Sequence, residues 1–131
     1  MAGSKIILYA DDDADDRTWF SEACRTVSQS WQVHFVETGQ QVIDYLRNTR
    51  SLMPSLIMLD LNMPGMDGRQ TLKQIKEDES FQQIPVVMVT TSINRIDKEV
   101  CHRLGADLLI TKPDTMGKWQ QVIQQLQSLV V

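Results

Sequence analysis

Ser55-Leu-Ile-Met-Leu-Asp60-Leu-Asn-Met-Pro-Gly-Met-Asp-Gly68 is an apolar run that ends on a carboxylate and then breaks into a turn. Ser55 to Leu61 is too short and too uniformly apolar for an amphipathic helix, and its neighbours Pro54, Pro64 and Gly65 are chain breakers. It reads as a strand buried on both faces. Asp60 then sits where a buried strand opens at its carboxyl end. A charge there is costly unless a metal, an opposite charge or hydrogen bonds partner it. The candidate partners lie at the ends of three other strands.

Upstream, Lys5 to Ala10 (KIILYA) is a second apolar run, and it stops on Asp11-Asp12-Asp13-Ala14-Asp15-Asp16. That pattern is a first strand with a carboxylate cluster at its exit. From about Ala14 the residues Trp19, Phe20, Ala23, Cys24 and Val27 recur at helical spacing. Asp15 and Asp16 fall near the helix start, where carboxylates suit the dipole. Trp31 to Glu37 alternates as a strand, and after Gly39 a helix carries Val42, Ile43 and Leu46. Downstream, Gly68 to Asp78 reads as a surface helix with Leu72 and Ile75 inward, capped by Asp67. Pro85 to Thr91 is a buried strand ending on hydroxyls, and Ile96, Val100, Cys101 and Leu104 mark a shorter helix ended by Gly105. Asp107 to Pro113 is a fifth strand ending on Lys112. Trp119, Val122, Ile123, Leu126 and Leu129 then give an amphipathic helix.

Five strands alternating with five helices, most strands continuously apolar, specify an α/β doubly wound parallel sheet covered on both faces. The flavodoxin-like (βα)5 order 2-1-3-4-5 places the ligand site beyond the carboxyl ends of strands 1 and 3. Those strands end in Asp11-Asp12 and Asp60. The 131 residues have one even texture and read as a single domain, 1-131. With 42% hydrophobic and 23% charged residues the composition is that of a folded globular protein, neither disordered nor membrane-embedded. The polar start Met1-Ala-Gly-Ser-Lys5 carries no signal-peptide or membrane-span pattern, so a cytoplasmic location is expected. Cys24 and Cys101 have no Cys or His at metal-ligand spacing and read as reduced structural thiols. A net charge of -4 argues against direct nucleic-acid binding.

Three carboxylates converging on one site repel one another. A hard divalent cation resolves this: Mg²⁺ takes oxygen ligands, which suits Asp11, Asp12 and Asp60 with a backbone carbonyl near Asn62. Zinc does not fit without Cys or His. Lys112 and Thr90 arrive from the ends of strands 5 and 4 and can supply a cation and a hydroxyl to phosphoryl oxygens. Of the three acids Asp60 is the expected nucleophile, because it stands alone on the central strand.

These residues resemble the receiver domain of two-component response regulators, over essentially the whole chain. The resemblance rests on Asp11-Asp12, on Leu59 to Gly68 (LDLNMPGMDG), on Val89-Thr90-Thr91 and on Lys112-Pro113. It implies that Asp60 accepts a phosphoryl group from a histidine kinase or phosphotransfer protein, with Mg²⁺ bound by Asp11, Asp12, Asp60 and the Asn62 carbonyl. It also implies a cis Lys112-Pro113 bond, and a downstream protein target on the face of helix 4, strand 5 and helix 5. The chain is similar to small stand-alone receivers with no output domain, some of which serve phytochrome-type kinases. In this reading it is a switch that catalyses its own phosphorylation and dephosphorylation, not a metabolic enzyme. Asn62 and Ser92 are candidates for tuning the hydrolysis.

One departure stands out: the family commonly has Tyr or Phe three residues before the lysine, and here that residue is Leu109. Three other classes compete with this one. A degenerate receiver that is never phosphorylated is disfavoured by the complete set of acids, threonine and lysine. An aspartate-nucleophile phosphatase should carry an aspartate where this chain has Asn62, and a flavodoxin should have a phosphate loop where it has acids. Of the remaining residues, Asp13, Asp15 and Asp16 read as helix capping and surface charge, Trp19 and Trp119 as core, with Trp119 a second candidate for partner contact. His34 and His102 are given no catalytic role.

Overall fold

The computed structural model describes residues 5–27, 30–48, 50–91 and 93–130. In chain order the elements are β1 (Lys5–Ala10), α1 (Ala14–Val27), β2 (Trp31–Val36), α2 (Gly39–Arg47), β3 (Leu56–Asp60), α3 (Gly68–Glu77), β4 (Val86–Thr90), α4 (Arg95–Arg103), β5 (Leu108–Thr111) and α5 (Met116–Leu126). The strands form one sheet in the order β2-β1-β3-β4-β5, and every neighbouring pair is parallel. This is the doubly wound flavodoxin-like arrangement that the alternation of apolar runs and amphipathic stretches specifies.

The sheet divides the core in two. Ile7, Tyr9, Leu56, Met58, Val87 and Val89 face α1 and α5, where Phe20, Trp119, Ile123 and Leu126 cover them. The residues between them, Leu8, Ile57, Leu59, Val86 and Met88, face α2, α3 and α4 and pack on Val42, Leu46, Leu72 and Ile75. Because both parities of β3 and β4 are buried, neither strand can alternate in polarity. β2 is an edge strand, with Gln32 and His34 exposed, and its alternation is the visible consequence.

Helix ends follow side-chain chemistry. Asp67 caps α3 by accepting from the Gln70 N–H at 3.0 Å, while Gln70 Oε1 accepts from the Asp67 N–H at 3.0 Å, a full capping box. Asp13 Oδ1 accepts from the N–H groups of Asp15 and Asp16 at the start of α1. α4 ends in a Schellman motif: Gly105 stands at φ +99°, its N–H bonds to the His102 carbonyl, and the Ala106 N–H bonds to the Cys101 carbonyl. Gly68, first residue of α3, lies against the exit of β3. A Cβ there would meet the Asp60 carbonyl oxygen at 2.4 Å and Leu61 Cα at 2.9 Å.

Three expectations are corrected. Trp19 is 41% exposed, because the inward face of α1 is Phe20, Ala23 and Cys24, and a residue one step before Phe20 lies about 100° away around the helix. Ile96 is 72% exposed, and α4 buries only Cys101 among its described residues. The Lys112-Pro113 bond is trans, as are all bonds among the described residues. An X-Pro bond favours trans by only about 0.5–1 kcal/mol, so proline at this position does not by itself select the isomer. Trp119 is core, 1% exposed, and packs edge-on against Phe20 at 5.9 Å, which leaves it no surface for a partner. No described helix is long and apolar enough to cross a membrane. Cys24 and Cys101 are both free and buried.

Candidate functional site

Strand parity assembles the site. Asp11 follows Ile7 and Tyr9 at intervals of two, Asp60 follows Leu56 and Met58, and Lys112 follows Ile110, all members of the layer facing α1 and α5. Where those strands run out, the three side chains converge. Lys112 Nζ lies 3.0 Å from Asp60 Oδ2 and 3.1 Å from Asp11 Oδ2. Asp11 and Asp60 are buried and Asp12, next in the chain, is exposed. One carboxylate oxygen from each of Asp11, Asp12 and Asp60 lies within 4.8 Å of the others.

Each buried acid is held by fixed donors. Asp11 Oδ2 accepts from the Tyr9 hydroxyl at 2.9 Å, and its Oδ1 accepts from the Asp13 N–H at 2.9 Å. Asp60 Oδ1 accepts from the Asn62 N–H at 3.0 Å. Arg17, on α1, donates to the Asp11 carbonyl at 2.7 Å and pairs with Glu37 at 3.6 Å, fixing the turn after β1. Among the described residues no buried side-chain nitrogen or oxygen lacks a partner. Thr90 is buried at the end of β4, where it pairs in register with Thr111, and its carbonyl accepts from the Lys112 N–H at 2.6 Å. Lys112 is thereby tied to β4 by its backbone and to β1 and β3 by its ammonium.

The electrostatics follow from burial and pairing. Burial pushes the Asp60 carboxyl above its ordinary value, with the Asp11 charge adding to it, while the Asn62 N–H and Lys112 pull it back. Burial alone would lower Lys112, but hydrogen bonds to Asp16 and Asp60 and the Asp11 and Asp60 charges outweigh it and hold the ammonium protonated well above its ordinary range. Tyr9 is pushed far up by burial and then by the charge of Asp11, so it stays a neutral donor. The donor set offers only oxygen, in a cluster of net negative charge, and so fits a hard divalent cation such as Mg²⁺.

Of the sequence-predicted residues, the structure brings Asp11, Asp12, Asp60 and Lys112 together. Asn62 meets Asp60 through its backbone N–H, and Thr90 closes the neighbouring strand. Ser92 lies outside the described residues. His34 lies against Tyr45 with ring centroids 5.5 Å apart and planes tilted by 49°, and His102 is exposed on α4. Sequence reasoning missed three residues. Tyr9, two before Asp11 and on the same strand face, carried a signal in its spacing. Arg17 carried none. Asp16 reads in the sequence as a surface charge like Asp15, yet its carboxylate takes Lys112 at 2.7 Å.

With that geometry in place, comparison with known proteins is decisive for the family. The model of the response regulator receiver domain matches residues 7–124. Response regulator Rcp1 of Synechocystis sp. is 30% identical over 128 residues, covering 95% of this chain and 87% of that protein. The two-component response regulator ARR5 of Arabidopsis thaliana is 35% identical over 126 residues, covering 86% of this chain and 66% of that protein. Among solved structures, the phosphorylated cyanobacterial phytochrome response regulator RcpA superposes with a TM-score of 0.88 at 32% identity, covering 96% of this chain and 93% of that one. The Mn²⁺-bound form of Rcp1 gives 0.85 at 30% identity, covering 95% and 92%. A parallel five-stranded sheet whose outgoing strand ends gather three carboxylates and a lysine, matched over nearly its full length by these relatives, belongs to the response regulator receiver family.

Proposed function

We propose that Asp60 is the phosphoacceptor of a Mg²⁺-dependent switch in two-component signalling. The supporting observation is that the Lys112 ammonium bridges Asp60 and Asp11, at 3.0 and 3.1 Å, beside the exposed acid Asp12. The donor is a phosphohistidine of a histidine kinase or histidine phosphotransfer protein. An Asp60 carboxylate oxygen attacks phosphorus, the P–N bond breaks, and its electron pair stays on the departing imidazole, which takes up a proton. The product is an acyl phosphate on Asp60. The Lys112 ammonium exchanges part of its contact with Asp60 for a phosphoryl oxygen, and the Thr90 hydroxyl donates to another. Asp11, Asp12, Asp60 and the Asn62 carbonyl would hold the cation, which would supply charge neutralisation to the phosphoryl oxygens. Reversal is hydrolytic: water attacks phosphorus, the bond to Asp60 oxygen breaks, and inorganic phosphate leaves. Asn62, two residues past the nucleophile, tunes that step.

The signal leaves by protein contact on the face of α4, β5 and α5. Leu109 occupies the position where receivers commonly carry an aromatic. It is half-buried against the core under α4 and lines, with Cys101, His102 and Leu108, a cavity of about 720 Å³. Movement of Thr90 toward the phosphoryl group is read out there by repacking of Leu109. The free buried thiols of Cys24 and Cys101 suit the reducing cytoplasm. The test is exposure to acetyl phosphate or beryllofluoride with and without Mg²⁺, followed by intact mass and tryptophan fluorescence. A response that requires both Mg²⁺ and Asp60, and is lost in Asp60→Asn, is expected. A folded wild type that does not respond overturns the reading in favour of an unphosphorylated interaction module.

A further inference from the structure

Three carboxylates share the Lys112 ammonium, and the closest is not one of the two at the ends of the strands. Nζ lies 2.7 Å from Asp16 Oδ2, against 3.0 Å from Asp60 Oδ2 and 3.1 Å from Asp11 Oδ2. An ammonium has three donors, and these three acids engage all of them. Asp16 stands in the first turn of α1, where helix-dipole chemistry alone explains an acid. Asp15, one residue earlier in the same turn, marks the contrast. It is exposed, and its backbone N–H donates to Asp13 Oδ1 at 2.9 Å. The Asp16 side chain is only 20% exposed and crosses the site to a lysine 96 residues away.

The consequence is positional. A lysine ends a flexible stem, so its charge rests where its partners place it. With Asp11 and Asp60 as its only partners, the ammonium would settle fully between them, neutralising the nucleophile and competing for the oxygens that suit a divalent cation. We propose that Asp16 is a positioning residue for phosphoryl transfer: it shares the Lys112 ammonium with Asp60 and Asp11 and anchors it toward α1, so that the contact with Asp60 is readily exchanged for the incoming phosphoryl group. The proposal rests on the reading of Asp60 as phosphoacceptor.

The test compares Asp16→Asn with Asp15→Asn in the full chain. Both remove one charge from the same helical turn, and only the first breaks the contact. In metal-free protein the side-chain ¹⁵N resonance of the Lys112 ammonium reports the contact without any phosphorylation. Asp16→Asn is expected to shift it or broaden it by faster hydrogen exchange, and Asp15→Asn to leave it in place. At saturating Mg²⁺ the rate of phosphorylation by acetyl phosphate is expected to fall about tenfold in Asp16→Asn, the scale of a misplaced catalytic group, and to stay within about twofold in Asp15→Asn. Asp16→Glu, which keeps the charge, is expected to recover part of the rate. An unmoved resonance in Asp16→Asn overturns the proposal, as does a moved resonance with an unchanged rate. A wild type that takes no phosphoryl group overturns the Asp60 reading and this proposal together, whereas a reactive wild type matched by Asp16→Asn overturns the positioning role alone.

Discussion

The α1 and α5 layer and helix α4 are held to the sheet by different means. Over the α1 and α5 face the cover is aromatic and continuous: Tyr9 meets Phe20 edge-on at 5.0 Å, and Phe20 meets Trp119 at 5.9 Å. Each of the two helices buries three residues of its own. On the opposite face α4 buries Cys101 alone and turns Ile96 to solvent. What ties α4 down there is polar: Arg69 at the start of α3 pairs with Asp97, which also accepts from Asn94, the α4 cap. The site straddles this difference. Asp11, Asp60, Lys112 and Asp16 stand on the aromatic side, while Thr90 leads into the loop before α4. A switch needs a rigid half that keeps the reacting groups in place and a half cheap enough to move.

The largest test of the contrast is Trp119→Ala. Removing a fully buried indole from the aromatic layer is expected to cost about 3–5 kcal/mol in chemical denaturation. Ile96→Ala on α4 is expected to stay within about 0.5 kcal/mol. A Trp119 loss no larger than that of Ile96 would erase the distinction between the faces. Next is Gly68→Ala. The new methyl would sit 2.4 Å from the Asp60 carbonyl oxygen, a backbone atom that cannot turn aside, so the exit of β3 must shift. About 1–3 kcal/mol of stability is expected to go, on the scale of other overpacked core sites. Phosphorylation is expected to fall more steeply than stability, since Asp60 itself is displaced.

How much of this was legible in the sequence depended on what the reading needed to know. β3 and β4 were plain because strands buried on both faces must be apolar at every position, and their short length and flanking Pro and Gly residues argue against a buried helix. The acids, the threonine and the lysine were findable because each ends such a strand, and parallel topology brings strand ends together without further information. Asp16 was not findable. Telling it from Asp15 requires the rotation of α1 about its axis, which is set by Phe20, Ala23 and Cys24 packing on the sheet. Trp19 was misread for the same reason: its spacing fits the apolar stripe, yet the stripe's centre lies one residue further on. On α4 the periodic residues suggested an apolar face, but at the sheet edge there is too little sheet beneath Ile96 to cover it.

Arg69→Ala probes the polar tether directly. Asp97 is mostly buried and Arg69 about one third exposed, so solvent weakens the pair and about 1 kcal/mol of global stability is expected to be lost. The local effect is expected to be larger than the global one. Cys101 is the buried residue of α4, so its alkylation at pH 8 reports opening of that helix, while Cys24 under α1 reports opening of the rigid half. In the wild type Cys101 is expected to label faster than Cys24, and Arg69→Ala to widen the gap. Equal rates at the two thiols would mean that α4 opens only with the whole molecule.

The smallest effect is a pH dependence confined to the rigid face. Burial beneath α1 pushes the Cys24 thiol up to about 12. In the unfolded chain the same thiol titrates near about 8.5. Below that value it is protonated in both states and contributes no pH dependence. Above it the unfolded chain releases the proton and the native chain keeps it, so stability falls as pH rises, with a limiting slope of about 1.4 kcal/mol per pH unit until the native thiol also ionises. At pH 9, barely into that window, the loss is expected to be just under about 1 kcal/mol relative to pH 7. Tyr9, raised far above its ordinary value, contributes little this low because its unfolded reference lies near about 10. Denaturation of the wild type and of Cys24→Ala under reducing conditions at pH 7 and pH 9 isolates the contribution of the thiol. A difference between the two proteins that does not change with pH would mean that water reaches Cys24 in the native state, and that the layer under α1 and α5 opens as readily as α4.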